Sequence, residues 1–197
     1  MSDGLSQPDY TQGMTNTPII PMFMVNRNTA QAPRYEMPVG YHMRFYRKGD
    51  VATWVRIQAA AEKFSVPSAD DFAKSMPGDD GYLAARVMFL VDPAGDDVGT
   101  ITAWDDSGLD GTPMGHIHWV AIVPAAQGRG LGKPMMSAAL EVMCRRGDTA
   151  AWLETHNVRI PALNLYLQLD FAPYPRNDVE REAWRAVAPA LRRQIQV

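Results

Sequence analysis

The pattern of apolar and polar positions predicts alternating strands and helices from residue 41 onward. Tyr41–Asp50 alternates and is rich in aromatic residues, which is typical of a strand. The next stretch carries apolar residues, together with Gln58, at helical spacing behind Asp50 as N-cap. A second, short helix is expected behind Ser68. Three strand-like runs follow at Arg86–Asp92, Asp97–Asp105 and Gly115–Val123, the first two joined by a hairpin turn.

The second half of the chain predicts a helix, a strand and another helix. The first helix covers Leu131–Arg146 and ends at Gly147, the strand covers Ala150–His156, and the next helix covers Ile160–Asp170. A last short strand is expected at "FAPYP". The three consecutive runs indicate antiparallel pairing, whereas the crossover helix makes its neighbouring strands parallel. The expected fold class is therefore α/β, with a mixed and largely antiparallel central sheet flanked by helices.

Both ends of the chain carry additional elements. Ile19–Asn26 is apolar but contains Pro21, so we expect an edge strand or a strap laid on the domain. The last twenty residues form an amphipathic pattern that Pro189 should break. This organisation predicts an N-terminal arm and linker at 1–40, a main α/β domain at 41–176 and a C-terminal helical extension at 177–197. A final strand is not evident, and that helix, the 19–26 segment or a second subunit in a homodimer could replace it.

Length, composition and charge limit the classes of protein to which the chain can belong. The chain has 197 residues, 46% of them hydrophobic, and a net charge of −3, so nothing favours a nucleic acid or an anionic membrane as partner. Cys144 is the single cysteine, which excludes an intrachain disulfide and fits a reducing compartment. No apolar run approaches the roughly 20 residues that span a bilayer. A cytoplasmic protein is expected.

A glycine-rich stretch, "QGRGLGK" at Gln127–Lys133, separates a predicted strand from a predicted helix. Helix N-termini present unpaired amides and a positive dipole end, and glycine lets a ligand approach the backbone. The stretch therefore predicts a site for a phosphate-bearing ligand, to which Arg129 and Lys133 add positive charge. A Walker loop is excluded because Pro134 follows Lys133, and a dinucleotide fingerprint lacks its third glycine.

This stretch resembles the acetyl-CoA loop of the GNAT superfamily of acyl-CoA N-acyltransferases. The matching residues are Ile122, Pro124, Gln127, Gly128, Gly130, Leu131 and Gly132. A second segment is similar to the family's fourth helix through Ala162, Leu163, Leu165, Tyr166 and Phe171. The resemblance covers Tyr41–Pro175 and implies the GNAT fold, acetyl-CoA as cosubstrate and transfer of its acetyl group to a primary amine.

The resemblance also implies which residues contact the cofactor. Loop amides would cradle the coenzyme A pyrophosphate, and a backbone amide near Ile122–Val123 would polarise the thioester carbonyl. The implied cofactor-binding residues are Ile122, Val123, Gln127, Gly128, Arg129, Gly130, Leu131, Gly132, Lys133 and Asn157. Two positions depart from the family pattern: Asp170 stands where glycine is usual, and Arg159 stands where an asparagine is frequent, with Asn157 two places earlier.

Two histidines are the candidate bases for removing a proton from the amine. His116 and His118 are two apart on a predicted strand, so both should project from one face, and imidazole titrates near neutrality. The segment is similar to the H-x-H strand of arylalkylamine N-acetyltransferases, whose two histidines serve proton removal. The pair could equally be ordinary hydrogen-bonded strand residues. Glu154 is a second candidate base, and no metal is expected because no third ligand has a suitable spacing.

By the same resemblance, Tyr166 is the candidate general acid beside the coenzyme sulfur, although a packing role on an amphipathic helix is the alternative. Cys144 is expected to be a helix residue and not a nucleophile. The reaction implied is direct attack by a small-molecule amine in a ternary complex. The alternatives are a protein or peptide acceptor, or a non-catalytic acyl-CoA-binding module, whose mark would be the loss of acid and base residues.

Overall fold

The computed structural model describes residues 18–62 and 67–196. The first seventeen residues of the predicted arm therefore lie outside the described part. The strands are β1 (Pro21–Asn26), β2 (His42–Phe45), β3 (Val87–Val91), β4 (Asp97–Asp106), β5 (Met114–Ile122), β6 (Ala151–His156) and β7 (Ala172–Pro173). The α-helices are α1 (Val51–Ala61), α2 (Ala69–Ser75), α3 (Asp80–Ala84), α4 (Gly132–Arg146), α5 (Ile160–Leu167) and α6 (Asp178–Val187).

The strands form one mixed sheet in the order β2-β3-β4-β5-β6-β1-β7. All pairs are antiparallel except β5 and β6, which are joined by the crossover helix α4 and run parallel. This parallel pair follows from the handed connection that a strand, a helix and a strand make. The predicted fold class, a mixed and largely antiparallel sheet flanked by helices, is confirmed.

The N-terminal segment lies inside the sheet, and the prediction of an edge strand or a strap at 19–26 is wrong. β1 pairs along its whole length with β6, from Pro21 opposite His156 to Asn26 opposite Ala151. On its other side β7 covers only Met24 and Val25. Pro21 is tolerated because its missing N–H falls at the strand start, where only one neighbour pairs. This segment therefore fills the strand position that the C-terminal sequence leaves open.

The helix ends follow their local signals. Ser68 and Asp71 form a reciprocal capping box at the start of α2, and α4 ends at Gly147 with a left-handed φ of 98°. Asp50 precedes α1 as predicted, but its side chain makes no cap hydrogen bond because it binds Arg44. The five-residue α3 was not expected from the sequence.

Pro189 acts as the sequence predicts. Helix α6 ends at Val187, and the chain continues as a single 3-10 turn, Ala188–Ala190. Cys144 is half-buried on α4, where its sulfur lies 3.4 Å from Thr29 Oγ1. Among the helices of the described residues, none has the length and apolar character needed to cross a membrane.

The sheet has an apolar layer on each face. Helix α4 packs Met135, Met136 and Leu140 into the main core. On the opposite face α1 buries Trp54 and Ile57 against Phe89. Two buried layers around one sheet hold the strands of the site in fixed positions, since a close-packed interior resists displacement.

The buried side chain of Asn26 stabilises β1 within the sheet, and a substitution tests this contribution. Asn26 Nδ2 donates to the Leu169 carbonyl at 2.9 Å, and Asn26 Oδ1 accepts from the Asn28 amide at 2.8 Å. Asn26→Ala would leave the Leu169 carbonyl without its buried donor and the Asn28 amide without its acceptor, so we expect the free energy of unfolding to fall by about 1–3 kcal/mol.

Urea unfolding measures this change. Arg27→Ala is the matched control on the neighbouring exposed position, whose ion pair with Asp110 should contribute less than about 1 kcal/mol. Equal stability of Asn26→Ala and Arg27→Ala would contradict a stabilising role of the Asn26 contacts.

Candidate active site

A cavity opens where two neighbouring strands separate. β5 and β6 pair only through Gly115, His116 and Ile117, although both strands continue for several residues beyond that point. The space between them is a cavity of about 520 Å³. Its lining includes the polar side chains of Gln58, Glu62, His116, His118, Glu154, His156, Arg159 and Tyr166. The divergence of the two strands therefore gathers groups from α1, β5, β6 and α5 around one space.

A β-bulge in β5 accompanies this separation. Thr100 of β4 lies opposite Ala121 and Thr102 lies opposite His118, so β5 has one additional residue over this interval. Trp119, within the bulge, has a φ of 51°, which is unfavourable for an aromatic residue by about 1–3 kcal/mol. A bulge bends its strand and interrupts pairing. β5 consequently turns away from β6 where the cavity begins.

The two histidines lie together, as their spacing predicts. The ring centroids of His116 and His118 are 4.4 Å apart, and both rings line the cavity. His116 stacks on Trp152 of β6 at 3.7 Å, with an angle of 9° between the rings. Its Nδ1 atom lies 3.6 Å from Asp106 Oδ2 at the end of β4. The imidazole pair thus extends from the cavity toward an acidic side chain.

Burial changes the protonation of both imidazoles. Loss of hydration lowers the pKa of His116 to about 2, helped by the neighbouring His118. Loss of hydration also lowers the pKa of His118 to about 4, against an opposing effect of Asp106. The expectation of titration near neutrality is therefore wrong for the free protein. Both rings are neutral at pH 7, and the 3.6 Å approach to Asp106 is not an ion pair there.

Tyr166 is buried in the wall of the cavity on α5. Burial raises the pKa of its hydroxyl to about 12, against an opposing effect of Arg159. The phenol is therefore protonated at neutral pH and can donate a hydrogen bond. The side chain also packs in the main core, where its ring centroid lies 6.4 Å from that of Phe171, so its position is fixed.

Charged groups line the same cavity. Arg159, at the start of α5, donates to Glu62 Oε2 at 2.6 Å, so the departure from asparagine at this position creates an ion pair in the cavity wall. Glu154 lines the cavity from β6. His156 lies two residues further, and loss of hydration lowers its pKa.

Gln58, Glu62 and His156 are cavity residues that sequence reasoning did not assign to the site. Gln58 had a detectable signal, because it is a polar residue at an apolar position of a helical pattern. Glu62 and His156 had none, because their place in the cavity depends on how separate elements pack.

The glycine-rich loop presents open backbone at the start of α4. Gly128 and Gly130 have left-handed φ values of 75° and 77°, and a Cβ at either would meet nothing within 4 Å. In the described part of the chain, the amides of residues 128–133 donate to no protein acceptor. Open glycine backbone and unpaired amides at the start of α4 suit an anionic ligand.

Side chains fix the shape of this loop. Gln127 Nε2 donates to the Ile122 carbonyl at 2.8 Å. Arg129 donates to the Tyr41 hydroxyl at 2.9 Å and to the Ala125 carbonyl at 3.0 Å. Lys133 lies over the Tyr35 ring, 4.9 Å from its centroid. The two predicted cations are thus held by tyrosines of the segment that precedes β2.

The other residues near the loop that are predicted to bind the cofactor differ in their hydrogen bonds and burial. The Val123 amide donates to the Val98 carbonyl at 2.9 Å and is not free. Since alternate residues of a strand direct their amides to opposite sides, the Ile122 amide is directed to the open edge. Leu131 is buried in the core. Gly132 lies so close to Leu165 that an added Cβ would be 3.1 Å from Leu165 Cδ2, which sets the start of α4 against α5.

Asn157 makes contacts to the N-terminal segment. Its Oδ1 accepts from the Ile20 amide at 2.8 Å, and its Nδ2 donates to the Pro18 carbonyl at 3.0 Å. Asp170 adopts a left-handed φ of 59°, the conformation that glycine takes easily. The residue differs from the family pattern, but the backbone conformation is one that glycine readily adopts.

Comparison with known proteins identifies the family. The sequence profile described as Acetyltransferase (GNAT) family matches residues 52–171. The chain belongs to this family, and the resemblance seen in the loop and in α5 is confirmed.

Curated relatives are bacterial proteins named mycothiol acetyltransferase. The relative from Nocardia farcinica is 33% identical over 156 residues, which cover 74% of this chain and 50% of the relative. The relative from Renibacterium salmoninarum is 29% identical over 153 residues, covering 72% of this chain and 44% of the relative. The chain therefore spans about half the length of these relatives.

Solved structures show the same fold. A GCN5-related N-acetyltransferase from Sphaerobacter thermophilus aligns with a TM-score of 0.61 at 20% identity, covering 80% of this chain and 50% of that one. A tandem GNAT protein from the clavulanic acid biosynthesis pathway aligns with a TM-score of 0.56 at 14% identity, covering 81% and 51%. At these identities the likeness concerns the fold.

The buried histidines predict a dependence of stability on pH. The pKa of both is lower in the folded chain, at about 2 and about 4, than the value of about 6.5 expected when unfolded. The unfolded chain then binds more protons below pH ~6.5. The free energy of unfolding should fall as the pH falls from ~6.5 toward ~4, by up to about 1.4 kcal/mol per pH unit and histidine.

Urea unfolding between these pH values measures the slope. Replacing His116 and His118 together by glutamine should flatten it, whereas His42→Gln, at an exposed strand position, should not. An unchanged slope in the double variant would show that the two imidazoles are not the cause.

Proposed function

We propose that this chain is an acetyl-CoA-dependent N-acetyltransferase that acts on a primary amine of a small molecule by direct attack in a ternary complex. The observation that carries the proposal is the cavity between β5 and β6, which joins neutral histidines to a protonated tyrosine. The open amides at the start of α4 follow β5 along the chain after a single 3-10 turn, Pro124–Ala126. The name of the relatives, mycothiol acetyltransferase, supports a small-molecule acceptor.

The donor is held at the loop in this proposal. The amides of residues 128–133 and the side chains of Arg129 and Lys133 bind the coenzyme diphosphate through the positive end of α4. The free Ile122 amide stabilises the oxygen on which negative charge develops. Acetyl-CoA supplies the activated acyl group, and the chain supplies orientation and proton transfer.

The neutral imidazoles are suited to accept the proton that the attacking amine must lose. Once the amine has attacked, its nitrogen carries a positive charge and is a stronger acid than the free ammonium. A neutral imidazole, such as that of His118, has an unprotonated ring nitrogen that can then accept the proton. His116, 4.4 Å from His118 between ring centroids, and Glu154 across the cavity are the other candidate acceptors.

Tyr166 acts at the other end of the reaction. Its phenol is protonated at neutral pH, because burial raises its pKa to about 12. As the thioester breaks, the developing thiolate takes a proton or a hydrogen bond from this hydroxyl. The acid and the base thus lie on different elements that face the same cavity.

A screen tests the function as a whole. The protein is incubated with acetyl-CoA and a panel of small amines, amino sugars and amine-bearing peptides, and free thiol is followed. Release of thiol with a small amine and not with peptides supports the proposal. Binding of coenzyme A without thiol release on any acceptor would favour a non-catalytic binding module.

The loop is tested by Gly130→Val. A valine side chain would stand in the open space where the ligand approaches, so we expect coenzyme A affinity to fall at least ~100-fold in calorimetry. Gly95→Val is the matched control, because Gly95 in the β3–β4 turn has a φ of 90° and equally open surroundings. It introduces the same backbone strain away from the loop. Equal coenzyme A affinity in the two folded variants would remove the loop from the site.

The acid is tested by Tyr166→Phe, which deletes the hydroxyl and keeps the packing. General acid help is worth about 10²–10⁴-fold, so kcat should fall within that range while the melting temperature and coenzyme A affinity stay close to wild type. Tyr174→Phe makes the same chemical change near β7 and should keep normal turnover. A kcat within about threefold of wild type, with chemistry rate-limiting, would assign Tyr166 to packing alone.

A further inference from the structure

Three buried polar groups meet at the bulge of β5. Gln58 Nε2 donates to Thr100 Oγ1 at 2.7 Å and to the Trp119 carbonyl at 2.9 Å, and Thr100 Oγ1 donates to the same carbonyl at 3.0 Å. A carbonyl can only accept, so the nitrogen of the Gln58 amide must face it. Both protons of Nε2 are then used, and the Trp119 carbonyl accepts two hydrogen bonds.

The three hydrogen bonds meet at the residue whose backbone conformation is unusual. Trp119 is the residue with a φ of 51°, and a bulge leaves backbone groups without partners in the strand ladder. Such a conformation persists only where surrounding contacts fix it. Gln58 and Thr100 are 5% and 0% exposed, and the hydrogen bond between their side chains is buried.

Helix α1 adds an apolar contact to the same residue. The indole of Trp54 meets that of Trp119 edge to face, with centroids 4.9 Å apart. α1 therefore holds the backbone of Trp119 through Gln58 and its side chain through Trp54. Both contacts come from a helix on one face of the sheet and act on the strand that borders the cavity.

We propose that Gln58 and Thr100 form a latch on the Trp119 carbonyl, which holds the bulge and keeps the cavity between β5 and β6 open. Without the latch, β5 is no longer held away from β6 and continues its pairing with β6 beyond Ile117, while its residues after the bulge keep their partners on β4. The edge of β6 at residues 154–156 faces this space and can accept that pairing. Gln58 and Thr100 are positioning residues, and only their effect on catalysis rests on the proposed function.

Hydrogen exchange tests the latch without any substrate. In the full chain, Gln58→Leu and Thr100→Val each remove one donor to the Trp119 carbonyl. The amides of Val120 and Ile122, which the alternation of the strand directs toward β6, should then exchange about tenfold more slowly, because they become paired with β6. A merely destabilising substitution would make them exchange faster. The coupling of the two indoles in circular dichroism should weaken in parallel.

Two further variants serve as controls for the exchange experiment. Thr100→Ser retains the hydroxyl and should restore wild-type exchange and wild-type circular dichroism. Arg56→Ala removes another hydrogen bond from α1 to β4, the one to the Asp97 carbonyl at 2.8 Å, and should leave the exchange of the Val120 and Ile122 amides unchanged. If Gln58→Leu fails to fold, Thr100→Val carries the test, since it exchanges a hydroxyl for a methyl group of similar size.

Kinetics supply the second readout once an acceptor is known. Closing the cavity should raise the KM for acetyl-CoA about tenfold in Thr100→Val and change kcat by less than about threefold, with Thr100→Ser near wild type. Unchanged or faster exchange at Val120 and Ile122 in both latch variants would overturn the proposal. A wild-type protein without acetyl transfer would overturn the proposed function and leave the exchange result valid.

Discussion

The separation of β5 from β6 is the constraint on which the site depends. Two parallel strands that stayed paired would present a closed sheet, with His118 on one face and α5 on the other. Pairing stops after Ile117, and the bulge at Trp119 carries β5 away. The gap passes through the sheet and joins the face that carries the histidines to the helix that carries Tyr166. Because β5 runs directly into the glycine-rich loop, the same strand directs the open amides toward this end of the sheet.

Burial around this gap sets the protonation of its groups. The cavity walls remove water from His116 and His118, which are neutral as a result, and from Tyr166, which keeps its proton. The charged groups Glu62 and Arg159 meet each other in the same wall at 2.6 Å. An arrangement of neutral acceptors and a neutral donor suits a reaction that moves a proton between two organic groups.

The sequence predicts those parts of the site that have local signals. The loop follows from glycine spacing, the histidine pair from strand alternation, and Tyr166 from resemblance. The position of β1 could not be derived, because its pairing with β6 joins residues more than a hundred positions apart and Pro21 indicates an edge. The latch could not be derived from the sequence either, because Gln58 donates hydrogen bonds to Thr100 and Trp119, which lie 42 and 61 residues further along the chain. The low pKa values of the histidines arise from packing, which no sequence motif encodes.

The departures from the family pattern become intelligible once β1 is in place. A strand that enters the sheet from the N-terminus must be fixed where it begins, next to the end of β6. Asn157 does this, because its amide group bonds to the backbone of both Pro18 and Ile20. Arg159, two residues further at the start of α5, pairs instead with Glu62, the residue that follows α1. The contacts of Asn157 and Arg159 at this end of the cavity are therefore those expected when the inserted strand comes from the N-terminal segment.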